Sequence, residues 1–251
     1  MSLKRATDLL VKQAEGFRPR DLKFKNQQPA TDRREIAFAL NYLEAFGYLS
    51  RELAKWKDIS LSDILAAIKL FQTNFGLATN GNLCAKTIKA MEAPRCACPD
   101  VLQKGIAKHA QFMRAKEFAA SRLPAWQKRG LTYAIAAVPP GVDQNLFVQM
   151  IAQSFNNWTM YGNIETRMVG TGDADILIDV GEGPRSNFDG PGGVLAWAYM
   201  PDGNDQQLTM KFDASETWVF GTQQRGIIVG NVATHEMGHL FGLDHSKVQS
   251  A

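Results

Sequence analysis

The chain reads as an α+β protein of two domains, and three observations predict this. Helical periodicity fills roughly the first ninety of its 251 residues, strand-like and helix-like segments alternate from Leu123 onward, and three of its four histidines gather around one glutamate near the C-terminus. With 45% hydrophobic and 21% charged residues the chain is globular, and it is long enough for two modest cores. A net charge of +3 from 28 basic and 25 acidic residues is nearly balanced, which argues against a nucleic-acid or anionic-membrane partner. No apolar run approaches the roughly 18 residues of a membrane span. No signal peptide is visible in the opening Met1-Ser2-Leu3-Lys4-Arg5-Ala6-Thr7-Asp8.

The elements follow in order. Thr31 to Phe46 carries Ile36, Phe38, Ala39, Leu40, Leu43 and Phe46 at three- and four-residue steps, an amphipathic helix that Gly47 closes. Ser60 or Ser62 can cap a second helix with Ile64, Leu65, Ile68, Leu70 and Phe71, and Asn80-Gly81 marks a turn before a third at about Cys84 to Met91. Three short helices make a small first domain. Residues 101 to about 122 are polar, and His109 within them reads as a solvated surface residue. Leu131 to Val138 reads as a strand, Asn145 to Trp158 as a helix with Leu146, Met150, Ile151 and Phe155 inward, and Ala174 to Val180 as a strand. Val194 to Met200 and Gln207 to Phe212 add two strands, and Ile228 to Leu243 is a helix, so helices should cover a sheet.

That last helix carries the chemistry, in the run His235-Glu236-Met237-Gly238-His239-Leu240-Phe241-Gly242-Leu243-Asp244-His245. On a helix His235 and His239 lie one turn apart, about 6 Å along the axis, so both rings reach one metal ion. Gly242 can take positive φ and turn the chain so that His245 arrives as a third ligand. Three protein ligands leave one position open for a water, which Zn²⁺ brings toward ionisation near neutral pH, and Glu236 stands beside the metal to take its proton. The implied reaction is peptide hydrolysis. Surface histidines at a helix end would be the bland alternative, and this spacing around a glutamate disfavours it. A second set, Asp189-Gly190-Pro191-Gly192-Gly193-Val194 with Asp213 and Glu216, offers hard carboxylates and free carbonyls on a glycine-rich loop; it suits Ca²⁺ or is an ordinary turn with a solvated acid pair.

The histidine run resembles the metzincin signature, and Ser246 after the third histidine resembles the matrixin branch. Tyr48, Leu49, Phe71, Gln72, Phe75, Gly76, Leu77, Gly81, Leu83 and Thr87 resemble the peptidoglycan-binding-like fold of the matrixin propeptide. Pro94-Arg95-Cys96-Ala97-Cys98-Pro99-Asp100 resembles the matrixin cysteine switch, in which a thiolate fills the open zinc position; Ala97 stands where the family has Gly, and Cys98 adds a second thiol.

The resemblance implies a three-helix peptidoglycan-binding-like prodomain over 1–100, a linker cut on activation over 101–122, and a metzincin-type catalytic domain over 123–251. The catalytic domain would hold a twisted mixed sheet with long helices and be truncated before the Met-turn, since no Met follows Ser246. It implies zinc on His235, His239 and His245, Glu236 as general base and acid, Cys96 as latency ligand, and an Arg95–Asp100 pair holding the loop. It also implies calcium on Asp189, Gly190, Gly192, Val194, Asp213 and Glu216. Leu195 and Ala196 would lie on an edge strand that pairs with polypeptide substrate, or serve simply as core positions.

The family's three-histidine structural zinc finds Trp197 and Lys211 at two of its ligand positions, and a second calcium site near Asp173, Asp175 and Gly203 to Asp205 is too altered to assign. Three cysteines leave two arrangements, a Cys84–Cys98 disulfide beside a liganding Cys96 or three reduced thiols. The expected protein is a latent, extracellular zinc endopeptidase. An alternative is a binder of cell-wall glycan whose peptidase domain is inactive.

Overall fold

The computed structural model describes residues 3–15, 30, 32–49, 59–101 and 126–245. They pack as two units, one made of the described residues up to Ala93 with 99–101, the other of Pro94–Cys98 with 126–245. The expected cleavage region, His109, Ser246 and the chain's last residues lie outside the described residues.

The N-terminal unit is built from helices α1 (Leu3–Glu15), α2 (Arg33–Ala45), α3 (Leu61–Asn74) and α4 (Ala85–Met91). The three-helix expectation is corrected by α1, which buries Ala6, Leu10 and Val11 and packs on α2 and α3. Its short apolar face was read only for a leader sequence. Asp32 caps α2 by accepting from the Arg34 amide, and Ser60 and Asp63 form a reciprocal capping box on α3. Ile36, Leu40, Leu43, Ile64, Ile68 and Phe71 are fully buried between them. Buried Gln72 spends its amide on the turn before α4, donating to the Asn82 carbonyl at 2.9 Å and accepting from the Gly81 amide at 2.9 Å. Gly47 takes φ +83°, and a Cβ there would lie 1.9 Å from the Val101 carbonyl oxygen, so the helix stop also makes room for the chain after Asp100.

The second unit has a five-stranded sheet in the order β2-β1-β3-β5-β4, from β1 (Gly130–Ile135), β2 (Glu165–Met168), β3 (Ile176–Gly181), β4 (Ala196–Ala198) and β5 (Leu208–Asp213). All pairings are parallel except β4 with β5. Short strands β6 (Trp218–Val219) and β7 (Ile227–Ile228) pair separately. Helices α5 (Gln144–Thr159) and α6 (Val229–Leu240) pack on each other, and their Phe147, Ile151, Phe155, Ala233, Met237 and Leu240 share one core with Ile176, Ile178, Met210 and Phe212 of the sheet. Strands β1, β3 and β4 are shorter than the sequence predicts, and β5 is of the predicted length shifted by one residue. Strand β2 was not foreseen, because Glu165-Thr166-Arg167-Met168 is a mostly exposed edge without apolar alternation. Among the described residues no helix is long and apolar enough to cross a membrane.

Asp175 ties β1 to the start of β3. Its carboxylate accepts from the Thr132 amide at 2.8 Å, the Thr132 hydroxyl at 2.9 Å and the Lys128 ammonium. Burial raises its pKa, but the Lys128 and Thr132 hydrogen bonds outweigh this and hold it below the usual value. A depressed folded-state pKa gives stability that is full above the unfolded value, about 4, and lost as pH falls through the folded value. Asp175→Asn should therefore lower stability by about 1–3 kcal/mol at neutral pH and flatten the loss below about pH 4. Urea melts from pH 3 to pH 7 on both proteins check this, and parallel curves would refute it.

Candidate metal centre

Helix α6 is held by two indoles. Trp126 Nε1 donates to the Leu240 carbonyl and Trp158 Nε1 to the Thr234 carbonyl, each at 2.8 Å. Gly238 lets Trp158 approach, since a Cβ there would lie 3.1 Å from its ring. The helix ends in a Schellman turn: Gly242, at φ +87°, donates to the His239 carbonyl and Leu243 to the Gly238 carbonyl, each at 2.8 Å. This turn carries His245 back to the helix face.

The three imidazoles converge, with ring centroids 4.9 to 5.3 Å apart. His245 Nε2 lies 3.3 Å from His235 Nε2 and 3.0 Å from Cys96 Sγ, and Cys96 Sγ lies 3.9 Å from His239 Nε2. His239 Nδ1 sits 2.8 Å from the Leu243 carbonyl, to which it must donate, leaving Nε2 as a free lone pair. Tetrahedral zinc with ordinary bond lengths needs donor separations of about 3.3 Å between nitrogens and 3.6 Å between nitrogen and sulfur. The four donor atoms, all within 4.8 Å of one another, fit that ion.

Glu236 lies beside this cluster with 0% exposure, and neither carboxylate oxygen has a hydrogen-bond partner. Burial pushes its pKa well up, the nearby Cys96 adds to this, and His245 opposes it. Cys96 is shifted the other way: a hydrogen bond from Cys98 lowers its pKa, burial opposes, and the three imidazoles lower it further. Cys98 is correspondingly raised, and its thiol lies with Glu236 and His239 in a second close group.

The three cysteines are free; Cys84 contacts the Thr87 hydroxyl at 3.4 Å and Cys98 contacts Cys96, so the Cys84–Cys98 disulfide is not formed. That alternative came from the odd cysteine count, which carries no geometry.

Residues 94–98 reach the cluster through backbone pairing. Arg95 N donates to the Gly193 carbonyl at 3.2 Å, Leu195 N to the Arg95 carbonyl at 2.9 Å, and Ala97 N to the Ala196 carbonyl at 3.1 Å. Arg95 bridges Val194 in parallel sense. Strand β4 is the sheet's edge, while the side chains of Leu195 and Ala196 are buried in the core. The edge and core readings of these two residues therefore describe different atoms of the same segment.

The loop before β4 is also polar and tight. Asp189 Oδ1 accepts from the Val194 amide at 2.7 Å, and Glu216 Oε1 from the Gly192 amide at 2.6 Å. Gly190 and Gly192 take φ of +95° and +86°. Asp213 accepts from Ser215 through one oxygen, while its other oxygen is buried without a partner. Burial raises the Glu216 pKa, the Gly192 amide opposes, and Asp213 and Asp189 raise it again. These three carboxylates are not gathered as closely as the histidine cluster. Trp197 donates from Nε1 to the Ser186 carbonyl at 2.8 Å, and Lys211 pairs with Asp179 at 2.9 Å, so these two side chains make an indole hydrogen bond and an ion pair.

A family profile described as matrixin matches residues 125–251, half of the chain. The chain belongs to the matrixin family. Matrix metalloproteinase-19 of Mus musculus is 33% identical over 84% of this chain and 38% of its own length. Matrilysin of Rattus norvegicus is 32% identical over 85% of this chain and 73% of its own, and metalloendoproteinase 1 of Glycine max 33% over 89% and 75%. The chain thus spans well under half of the first relative and about three quarters of the other two.

The sequence reading missed the indole clamps, the Leu243 carbonyl behind His239 and the Cys96–Cys98 contact. Only the last had a signal, two cysteines separated by a single residue. Trp197→Phe keeps an aromatic ring but removes the donor to Ser186 and part of the buried indole, and should cost about 1–3 kcal/mol in a urea melt. An unchanged midpoint would mean that this bond does not anchor the loop.

Proposed function

We propose that this matrixin is a zinc-dependent endopeptidase held latent by Cys96. The observation that carries the reading is the convergence of Cys96 Sγ with the Nε2 atoms of His235, His239 and His245 at separations suited to one tetrahedral ion. These four residues would hold zinc in the latent form, and the three histidines alone in the active one. When bound, zinc supplies Lewis acidity, polarising the scissile carbonyl and easing ionisation of a water.

The chain's own residues supply the rest. Glu236, dry and unpartnered, takes the proton of the attacking water and passes it to the leaving amine. The edge at Leu195 and Ala196, with backbone groups directed outward, aligns an extended polypeptide, and the Ala196 carbonyl that now accepts from Ala97 is available to it once residues 94–98 leave. Polypeptide, rather than the cell-wall glycan of the alternative reading, is the substrate class we assign. Calcium on Asp189, Gly190, Gly192, Val194, Asp213 and Glu216 would offset the negative charge of Asp213 and Asp189 that raises the Glu216 pKa and would partner the orphaned Asp213 oxygen. Residues 1–100 would act as prodomain, 101–122 as the activation segment and 123–251 as the catalytic domain of an extracellular enzyme.

Two variants test this. Glu236→Gln should keep stoichiometric zinc and lose about 10²–10⁴-fold in cleavage of a broad fluorogenic peptide. Cys96→Ser should cleave that peptide without the thiol-modifying treatment that the parent chain requires. Full activity in the first, or a zinc-loaded second variant as silent as the untreated parent, would overturn the reading.

A further inference from the structure

We propose that Cys96 and Cys98 form a modification site, a dithiol that a peroxide converts to a disulfide, so that the latch sulfur leaves the histidine centre without any cut in the chain. The consequence for latency rests on the zinc reading above; the pair itself rests on geometry.

Arg95 and Ala97 pair with the 193–196 edge, the chain bends at Ala97, and the Cys96 and Cys98 sulfurs each lie within 4.8 Å of a ring nitrogen of His239. Residues two apart in a fully extended chain have Cα atoms about 6.6 Å apart, and the bend at the intervening Ala97 shortens this further into the range a disulfide spans. The Arg95 guanidinium draws the segment in, donating from Nε to the Cys96 carbonyl at 3.2 Å and from Nη2 to the Cys98 carbonyl at 3.0 Å. Each thiol acts on the other's pKa, Cys98 lowering that of Cys96 and Cys96 raising that of Cys98. Cys98 is otherwise unexplained by the peptidase chemistry, yet it is buried at 1% exposure against Glu236 and His239. Cys84 belongs to the other unit and faces Thr87.

The chemistry balances. Cys96, at 7% the more exposed of the two, attacks the peroxide: an S–O bond forms, the O–O bond breaks, and the first water leaves. Cys98 sulfur then attacks the sulfenic sulfur, forming S–S and expelling the hydroxyl as a second water. Two thiols give up two electrons and two protons, and one peroxide is reduced to two waters.

The test uses the full chain loaded with Co²⁺, whose thiolate charge-transfer band reports the Cys96 sulfur on the metal. It is treated with hydrogen peroxide, alkylated and digested with trypsin. Cleavage after Arg95 and Lys104 puts both thiols on one peptide, Cys96-Ala97-Cys98-Pro99-Asp100-Val101-Leu102-Gln103-Lys104, while Cys84 falls on the peptide from Leu70 to Lys86. The proposal expects this peptide unalkylated and two hydrogens lighter, restored by reduction, with the band lost in step and the metal retained. Cys98→Val, or Cys98→Ala should the larger residue not fold, should abolish the lighter peptide, and Cys84→Ser should not. Oxidation that stops at sulfinic acid, a link to Cys84, or a band that survives disulfide formation would each overturn it. Disulfide formation and band loss without peptide cleavage would sustain this pair and sink the peptidase reading instead.

Discussion

A carboxylate with no partner is the constraint around which the second unit is arranged. Glu236 has both oxygens buried without a hydrogen bond, and an isolated buried charge costs several kcal/mol unless it is neutralised or compensated. The fold tolerates it because burial, which dominates its surroundings, favours the protonated form, and because His245 beside it acts in the opposite sense to the Cys96 charge. The surrounding architecture keeps this arrangement from relaxing. Two indoles on α6, a glycine that admits one of them, and a Schellman turn closing on His239 leave the helix no easy rotation that would bring Glu236 to water.

The histidine cluster was legible because it is a matter of local geometry. Helical repeat places His235 over His239, and a glycine with positive φ is what a sharp helix end requires, so spacing alone brings three imidazoles together. Helices α2 to α4 were legible for the same reason, since periodicity and caps such as Ser60 act within a few residues. Long-range pairing was not legible. Strand β2 has no apolar alternation to announce it, and only its parallel register with β1 makes it a strand. The acid at Asp175 is used by Lys128 and Thr132, an arrangement that depends on β1 and β3 being neighbours. Backbone partners such as the Leu243 carbonyl leave no trace in residue identity.

Trp197 and Lys211 show how departures from a family pattern are absorbed. They are directly opposed across β4 and β5. Trp197 reaches the Ser186 carbonyl and packs edge-on to Tyr199 at 5.1 Å, while Lys211 finds Asp179 on β3. One side chain holds the loop before β4 and the other crosses the sheet. An indole contributes more buried apolar surface than an imidazole and needs a single acceptor, so the loop is anchored by packing and one hydrogen bond.

The proposed latch works through the same edge as the proposed substrate, and this sets its strength. Three backbone hydrogen bonds hold residues 95–97 against Gly193, Leu195 and Ala196, while the Arg95 guanidinium braces the segment itself through the Cys96 and Cys98 carbonyls. Each such bond nets only about 0.5–1.5 kcal/mol, so together they position the thiol more than they bind the segment. On that proposal, what would let Cys96 compete with water is its tether, which gives it an effective concentration on the order of millimolar or above. Severing the chain on the C-terminal side of Cys96 removes that advantage while leaving every contact intact at the moment of cleavage. On that proposal the segment would then depart, because its three hydrogen bonds and its thiol would no longer act intramolecularly. The polar edge it would vacate offers backbone groups to another extended chain.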